Sequence, residues 1–197
     1  MSRSPTTRPS LLIRIRKSRD DSAWRQFVEI YTPLVYHYAR KRGLQDADAA
    51  DLAQEVLGSV ATAIQRFEYD PKRGTFRGWL FTLTRNKLLN FISSRRRSPQ
   101  GTGDTKIKNL LDEQPDAETD ELQWDQQYQR RLFSWASNQV KSEFKEATWR
   151  AFWQTAVENQ PAKRVAEALG VSVGAIYIAK SRVLARLRQK IQEVLDE

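Results

Sequence analysis

The chain has 197 residues, 40% of them hydrophobic and 29% charged, and its 33 Lys and Arg against 24 Asp and Glu give a net charge of +9. This length accommodates one large domain or two small ones, and the basic balance favours an anionic partner. The lack of Cys excludes disulfides, iron–sulfur clusters and Cys-based zinc sites.

The sequence also predicts where the protein resides. No apolar run approaches the ~18 residues that a membrane span requires, and the N-terminus has no signal-peptide core. We therefore expect a cytoplasmic protein that does not insert into a membrane.

Charge is distributed unevenly along the chain. Residues 1–97 carry +10, residues 98–140 carry −4 and residues 141–197 carry +3. Two basic blocks on either side of an acidic bridge indicate two separate nucleic-acid contacts. Because no stretch has the period of a β-strand, the fold class predicted is all-α. Two small helical domains, residues 1–97 and 118–197, are joined by a flexible acidic linker over residues 98–117 that contains Pro and Gly.

Polar residues mark the beginnings of the first two predicted helices. Ser10 can cap a short helix, and Asp20 or Asp21 begins a longer one with apolar residues at helical spacing. Pro33 lies inside this longer helix and predicts a kink or a division, because proline removes a backbone donor. Gly43 ends it.

The third predicted helix begins with Asp46 or Asp48 as its cap and extends to about Phe67. Asp51 and Glu55 lie on one face at i and i+4, where like charges weaken an isolated helix slightly. The helix dipole stabilises acids in the first turn, which is one explanation. The other is a docking surface for a basic partner.

The stretch from Tyr69 to Arg97 combines aromatic, amide and arginine side chains. A turn precedes Thr75, which can cap a helix ending in three arginines. Such side chains stack on unpaired bases, hydrogen-bond base edges and hold phosphates. An amphipathic helix with a solvated basic face is the alternative. The candidate nucleic-acid contacts are Tyr69, Arg77, Arg85, Asn86, Lys87, Asn90, Arg95, Arg96 and Arg97.

The second predicted domain begins with two helices rich in tryptophan. The first carries apolar residues from Leu122 to Ala136, and the second covers about residues 146–158, with Val157 among its core positions. Four of the six Trp residues fall here, which indicates a small core that relies on large side chains.

A helix, a short turn at Gly170 and a basic helix capped by Ser172 follow, and this pattern is typical of a helix-turn-helix. A helical hairpin with a solvated cationic face is the alternative. The candidate DNA contacts here are Ser172, Tyr177, Lys180, Ser181, Arg182 and Arg186.

The sequence contains no group of residues in an arrangement typical of a catalytic site. There is no Gly-rich phosphate loop, no metal-ligand spacing, and only one histidine, His37, in an aromatic context that favours packing. We expect a binding protein with no enzymatic activity, no cofactor and no metal.

The order of these motifs resembles a bacterial RNA polymerase sigma factor of the extracytoplasmic-function (ECF) group of the sigma-70 family. The segments that carry the resemblance are DLAQEV, then GTFRGWLFTLTRNKLLNF, then an acidic linker, then VAEALGVSVGAIYIAKSRVLARLR. The resemblance implies a sigma region 2-like domain, a linker and a region 4-like domain. It also implies core RNA polymerase and promoter DNA as partners, with an anti-sigma factor as a further candidate.

The resemblance assigns roles to each candidate surface. The acidic helix would dock on the clamp of the polymerase largest subunit through Asp51, Leu52, Gln54 and Glu55. The stretch after it would recognise and melt the −10 element, and the helix-turn-helix would read the −35 element.

Three other classes of protein are alternatives to this one. A stand-alone helix-turn-helix transcriptional regulator would need the C-terminal motif but not the acidic helix. A recombinase would need a nucleophile and positioned arginines in a sheet-based domain, for which no strand pattern exists. An anti-sigma or adaptor protein would leave two basic faces without a task.

Overall fold

The structure is a computed structural model that describes residues 11–16, 20–66, 75–97 and 117–195. These ranges contain α-helices, short 3₁₀ and π turns and connecting loops, and no strand. The all-α prediction is confirmed for these residues. The helices are α1 Leu11–Arg16, α2 Asp21–Lys41, α3 Asp46–Ala63, α4 Phe76–Arg97, α5 Ala117–Val140, α6 Glu146–Phe152, α7 Ala162–Leu169 and α8 Val173–Leu195.

The chain forms two compact units, with a boundary between residues 131 and 132. The N-terminal unit is Leu12–Arg131 and the C-terminal unit begins at Leu132. The sequence placed the start of the second domain at residue 118, whereas residues 117–131 of α5 belong to the N-terminal unit. The predicted linker up to residue 116 lies outside the described residues.

Helix α2 is the centre of the N-terminal unit. Asp20 caps it by accepting a hydrogen bond from the Ala23 N–H at 2.9 Å, which agrees with the sequence. Arg14 donates to the same carboxylate at 2.9 Å, and this contact lowers the pKa of Asp20. The division predicted as one alternative at Pro33 is wrong, since α2 continues through this residue as one helix. Gly43 follows the helix at φ 85°, a conformation that glycine adopts without steric cost.

The cap of α3 differs from the prediction. Gln45 occupies the capping position and makes no side-chain cap, while Asp46 is the first residue of the helix. The Asp46 carboxylate instead accepts a hydrogen bond from Tyr36 and forms an ion pair with Arg40, each at 2.9 Å. Asp46 therefore links α3 to α2.

Aromatic side chains of α5 complete the core of the N-terminal unit. Tyr128 stacks on Tyr31 with ring centroids 5.6 Å apart, and Trp124 packs edge-on against Tyr38 at 5.5 Å. Trp124 and Tyr128 are each 2% exposed. Leu122, predicted as a core residue of the second domain, is 60% exposed, because it lies off the face of α5 that these aromatic residues occupy.

A buried ion pair fastens the same helix. Asp120 is fully buried, pairs with the guanidinium of Arg42 and accepts a hydrogen bond from the Tyr38 hydroxyl at 2.9 Å. Arg42 is 8% exposed. Charges so far from water are stable only when paired, so these three side chains fix where α5 lies on α2.

Tryptophan and phenylalanine side chains pack together in the C-terminal unit. Trp149 stacks on Trp153 at 5.9 Å, and Phe152 is fully buried. The predicted helix over residues 146–158 is divided, since a π turn at Trp153–Val157 follows α6. Val157, predicted as core, is 41% exposed, because the π turn changes which residues face inward.

Helices α7 and α8 are joined by a tight turn and bent by 103°. Gly170 adopts φ 64°, and the Val171 N–H donates to the Ala166 carbonyl at 3.0 Å, which closes the end of α7. The Ser172 hydroxyl accepts from the Ala175 N–H at 3.1 Å and begins α8. The predicted roles of Gly170 and Ser172 in the turn and the cap are confirmed.

Candidate nucleic-acid interface

Amide side chains of α4 form an exposed row. Asn86 and Asn90 are both exposed at i and i+4, and Thr82 precedes them by one further turn. The opposite side of the helix is buried through Leu80, Leu88 and other residues, so this row must face outward. Amides can hydrogen-bond base edges, and the structure brings the two predicted asparagines together on one surface.

Arg77, at the beginning of α4, contacts α5 instead. Its Nε donates to Asp125 at 2.7 Å, and its guanidinium lies 5.1 Å from the centre of the Tyr128 ring. An ion pair and a cation–π contact therefore hold Arg77 within the N-terminal unit. The sequence assigned Arg77 to DNA because it could not show that Asp125, 48 residues later, lies beside it.

Two further cations of α4 also point towards neighbouring helices. The Lys87 amine lies 3.7 Å from the Glu55 carboxylate of α3. Arg85 is half-buried, and its charge partly offsets the increase that burial causes in the pKa of Tyr38. Neither shares the exposure of Asn86 and Asn90. The candidate Tyr69 and the side chains of Arg95, Arg96 and Arg97 lie outside the described residues.

The acidic surface of α3 is exposed. Asp51, Gln54 and Glu55 are all exposed, while Leu52 between them is 1% exposed. Leu52, which the resemblance assigns to the same partner contact, is a buried residue of α3 like Val56 and Val60. The two carboxylates and the amide form one polar surface, which we call the acidic face.

The outer face of α8 carries most of the remaining candidates. Tyr177, Ser181 and Arg182 are exposed, and Lys180 is half-buried. Ser172 is exposed although its hydroxyl also caps the helix. This face is opposite the buried residues Ile176, Val183, Leu187 and Val194.

Arg186 is the exception on α8, since it forms a bidentate ion pair. Its Nε and one terminal nitrogen lie 2.6 and 2.8 Å from the two carboxylate oxygens of Glu143. The Arg186 guanidinium lowers the pKa of Glu143, and the carboxylate raises the pKa of Arg186. This contact ties the 3₁₀ turn at Lys141–Glu143 to α8.

The outer face of α8 also carries Val173 and Ile178, which are 39% and 62% exposed and were not among the residues predicted from the sequence. The signal was present in the spacing. With residues 176, 179, 183 and 187 buried, positions 173 and 178 must lie on the other side of the helix.

The described residues contain no group of three or more His, Asp or Glu side chains placed to hold a metal ion. No single helix among them could span a membrane, and α7 with α8 meets the length and composition test only as a pair, across their bend.

Comparison with known proteins shows what part of the chain is similar to. Residues 27–98, which include all of α3 and all of α4, match the sigma-70 region 2 family. The ECF RNA polymerase sigma factor RpoE of Cereibacter sphaeroides is 28% identical over 88 residues, which cover 45% of this chain and 48% of that protein. The chain therefore contains a segment that matches sigma-70 region 2, and over part of its length it is similar to ECF sigma factors.

A second ECF relative and one solved structure complete the comparison. The ECF RNA polymerase sigma factor SigE of Mycolicibacterium smegmatis is 35% identical over 75 residues, which cover 38% of this chain and 28% of that protein. The matches thus span half or less of these relatives. The structure of CnrH in complex with the cytosolic domain of CnrY is 20% identical, covers 91% of this chain and 93% of that chain, and has a TM-score of 0.35. Similarity at that level supports no further conclusion.

Proposed function

We propose that this protein is a sigma factor that binds core RNA polymerase and directs promoter-specific initiation by recognising −35 DNA and by recognising and melting −10 DNA. The observation that carries the proposal is the arrangement of the region 2 match. An exposed carboxylate surface and an exposed amide row lie on two packed helices, α3 and α4. A protein that only binds DNA has no use for the first of these surfaces.

The acidic face is the proposed contact with the clamp of the polymerase largest subunit. Asp51, Gln54 and Glu55 are available to a basic partner without unfolding, because each side chain is exposed. Charge complementarity of this kind speeds association and selects partners. Phosphate would be repelled by the same carboxylates, so DNA is a poor candidate for this surface.

The amide row on α4 is the proposed contact with −10 DNA. Asn86 and Asn90 would hydrogen-bond base edges, with Tyr69 as the predicted stacking platform for an extruded base. Extruding a base costs a few kcal/mol, and stacking on an aromatic ring returns about 1–3 kcal/mol. One module can capture one or two bases but cannot open a dozen pairs, so melting requires the polymerase.

The outer face of α8 is the proposed contact with −35 DNA. In a helix-turn-helix the N-terminal residues of the second helix meet base edges in the major groove. Tyr177, Ser181 and Arg182 lie in that part of α8 and are exposed. Lys163 and Arg164 of α7 are exposed as well and could contact the flanking phosphates.

Transcription in vitro tests the proposal. The full chain is added to bacterial core RNA polymerase with fragmented genomic DNA, and the 5′ ends of the transcripts are mapped. We expect discrete start sites with a common upstream pattern that are absent without the chain. An electrophoretic shift as tight without core polymerase as with it, or no initiation at all, would contradict the proposal.

The pairing of Arg186 with Glu143 leads to a further expectation. Glu143→Gln should release the Arg186 guanidinium to a phosphate and make holoenzyme binding to the −35 region tighter. One additional phosphate contact steepens the slope of log K against log salt by about 0.9. Glu146→Gln, which neutralises an exposed acid of α6 in the same unit, should leave the slope unchanged. Equal slopes for all three proteins would show that Arg186 does not reach the backbone.

A further inference from the structure

Exposed apolar side chains are concentrated at the turn before α8 and at its beginning. Of the seven large hydrophobic side chains that are exposed in the described part of the chain, four are Val171, Val173, Tyr177 and Ile178, at 41%, 39%, 61% and 62% exposure. Exposed apolar residues scattered singly are ordinary, whereas a cluster indicates an interaction surface. This cluster spans only eight positions.

The cluster shares its helix face with polar and cationic side chains. Val173, Tyr177 and Ser181 follow one another at i, i+4 and i+8, and Ile178 and Arg182 form a parallel row one position along. Whatever covers Tyr177 and Ile178 must therefore also accommodate a hydroxyl and a guanidinium. A partner surface that is purely apolar does not fit.

The surrounding charge favours DNA as that partner. Lys163, Arg164, Lys180 and Arg182 lie on α7 and on the first half of α8, against one acid, Glu167. The net excess of three positive charges complements phosphates and opposes a second copy of this basic chain. A protein surface remains the competing occupant, and the experiment below separates it from DNA.

The first turn of α8 also carries small side chains. Gly174 and Ala175 are exposed, and a Cβ added at Gly174 would meet only the Ser172 hydroxyl, at 3.8 Å. Small residues here let the end of the helix approach a groove closely. The apolar side chains beside them would then reach the base edges.

We propose that Val173, Tyr177 and Ile178 read thymine 5-methyl groups in the major groove of the upstream promoter element. In that groove only the A·T pair presents a methyl group, so an apolar contact there distinguishes thymine from cytosine. This inference rests on the proposed function and adds the base class that α8 selects. The hydroxyl of Ser181 and the guanidinium of Arg182 would supply the polar contacts nearby.

Replacement of thymine by deoxyuridine tests the proposal, since it removes the methyl group and leaves every hydrogen-bonding group in place. Upstream sequences are first selected from a randomised duplex library with the reconstituted holoenzyme. Each thymine of the selected element is then replaced in turn, and the equilibrium dissociation constant is measured. Loss of one buried methyl corresponds to about a four-fold weakening, expected at one or more positions.

Variants of α8 assign the effect to its side chains. Ile178→Ala, Tyr177→Ala and Val173→Ala should each weaken binding to the thymine duplex, and at least one should make a deoxyuridine replacement neutral. Val157→Ala truncates a comparably exposed apolar residue of the same unit and should behave as wild type. Circular dichroism confirms that each variant is folded.

Three results would overturn the inference. The selected element could contain no thymine, every deoxyuridine duplex could bind as well as its parent, or the loss could persist unchanged in all three α8 variants. Any of these would leave the proposed function intact if the holoenzyme still selects a sequence. If no upstream sequence is selected, the proposed −35 recognition fails, and the inference fails with it.

Discussion

Asp120→Ala is expected to destabilise the N-terminal unit by about 3–5 kcal/mol. The variant removes the carboxylate that neutralises Arg42, a residue that is 8% exposed. It also removes the acceptor of the Tyr38 hydroxyl. An unpaired guanidinium in the interior is costly, so residues 117–131 should detach from α2. Urea unfolding followed by circular dichroism measures the loss, and hydrogen exchange at the α5 amides should be faster by about two to four orders of magnitude.

Two further variants test whether the loss of stability comes from the burial of the unpaired charge. Asp125→Ala breaks the ion pair between Asp125 and Arg77, whose side chains are 40% and 29% exposed. Because this pair is partly in contact with water, its loss should lower the free energy of unfolding by no more than about 1 kcal/mol. The double variant Arg42→Met with Asp120→Leu replaces both charges by apolar groups and should recover most of the stability. If the free energy of unfolding of Asp120→Ala lies within about 1 kcal/mol of the wild-type value, the docking of α5 on α2 is not as described.

The sequence predicted the helices far better than the packing of α5. Helical spacing and capping residues located α2, α7 and α8, because these signals are local. The boundary between the units depended on what Trp124 and Tyr128 contact. Their partners Tyr38 and Tyr31 are 86 and 97 residues away, and no local pattern contains such information. The composition after residue 97 therefore predicts a second domain from residue 118, whereas residues 117–131 of α5 pack in the N-terminal unit.

The candidate site was predictable where exposure follows from periodicity. Asn86, Asn90, Tyr177 and Ser181 lie opposite buried stripes that the sequence already displays, and the structure exposes them. The arginines were different. Arg77 and Arg186 are half-buried, and each meets a carboxylate distant in sequence, Asp125 or Glu143. Cationic residues suggest DNA from sequence alone, and only tertiary structure shows which are already paired.

Charge reversal on the acidic face should have the largest effect on function. Asp51→Arg and Glu55→Arg are each expected to weaken binding to core RNA polymerase by roughly 100-fold, because like charges placed together at an interface cost several kcal/mol. Both side chains are exposed, so the fold should persist. The affinity of labelled chain for core polymerase is measured by fluorescence anisotropy.

Asp21→Arg is the matched control, since it reverses an exposed acid of α2 in the same unit, outside the region 2 match that begins at residue 27. It should retain wild-type affinity. Glu55→Arg also faces Lys87, whose amine lies 3.7 Å from the native carboxylate. The Glu55→Gln variant removes that repulsion and should weaken binding less. A stand-alone regulator would behave differently, keeping its affinity for DNA and its output in all these variants. If Asp51→Arg and Asp21→Arg bind core polymerase equally well, the acidic face is not the docking surface, and the carboxylates serve α3 alone.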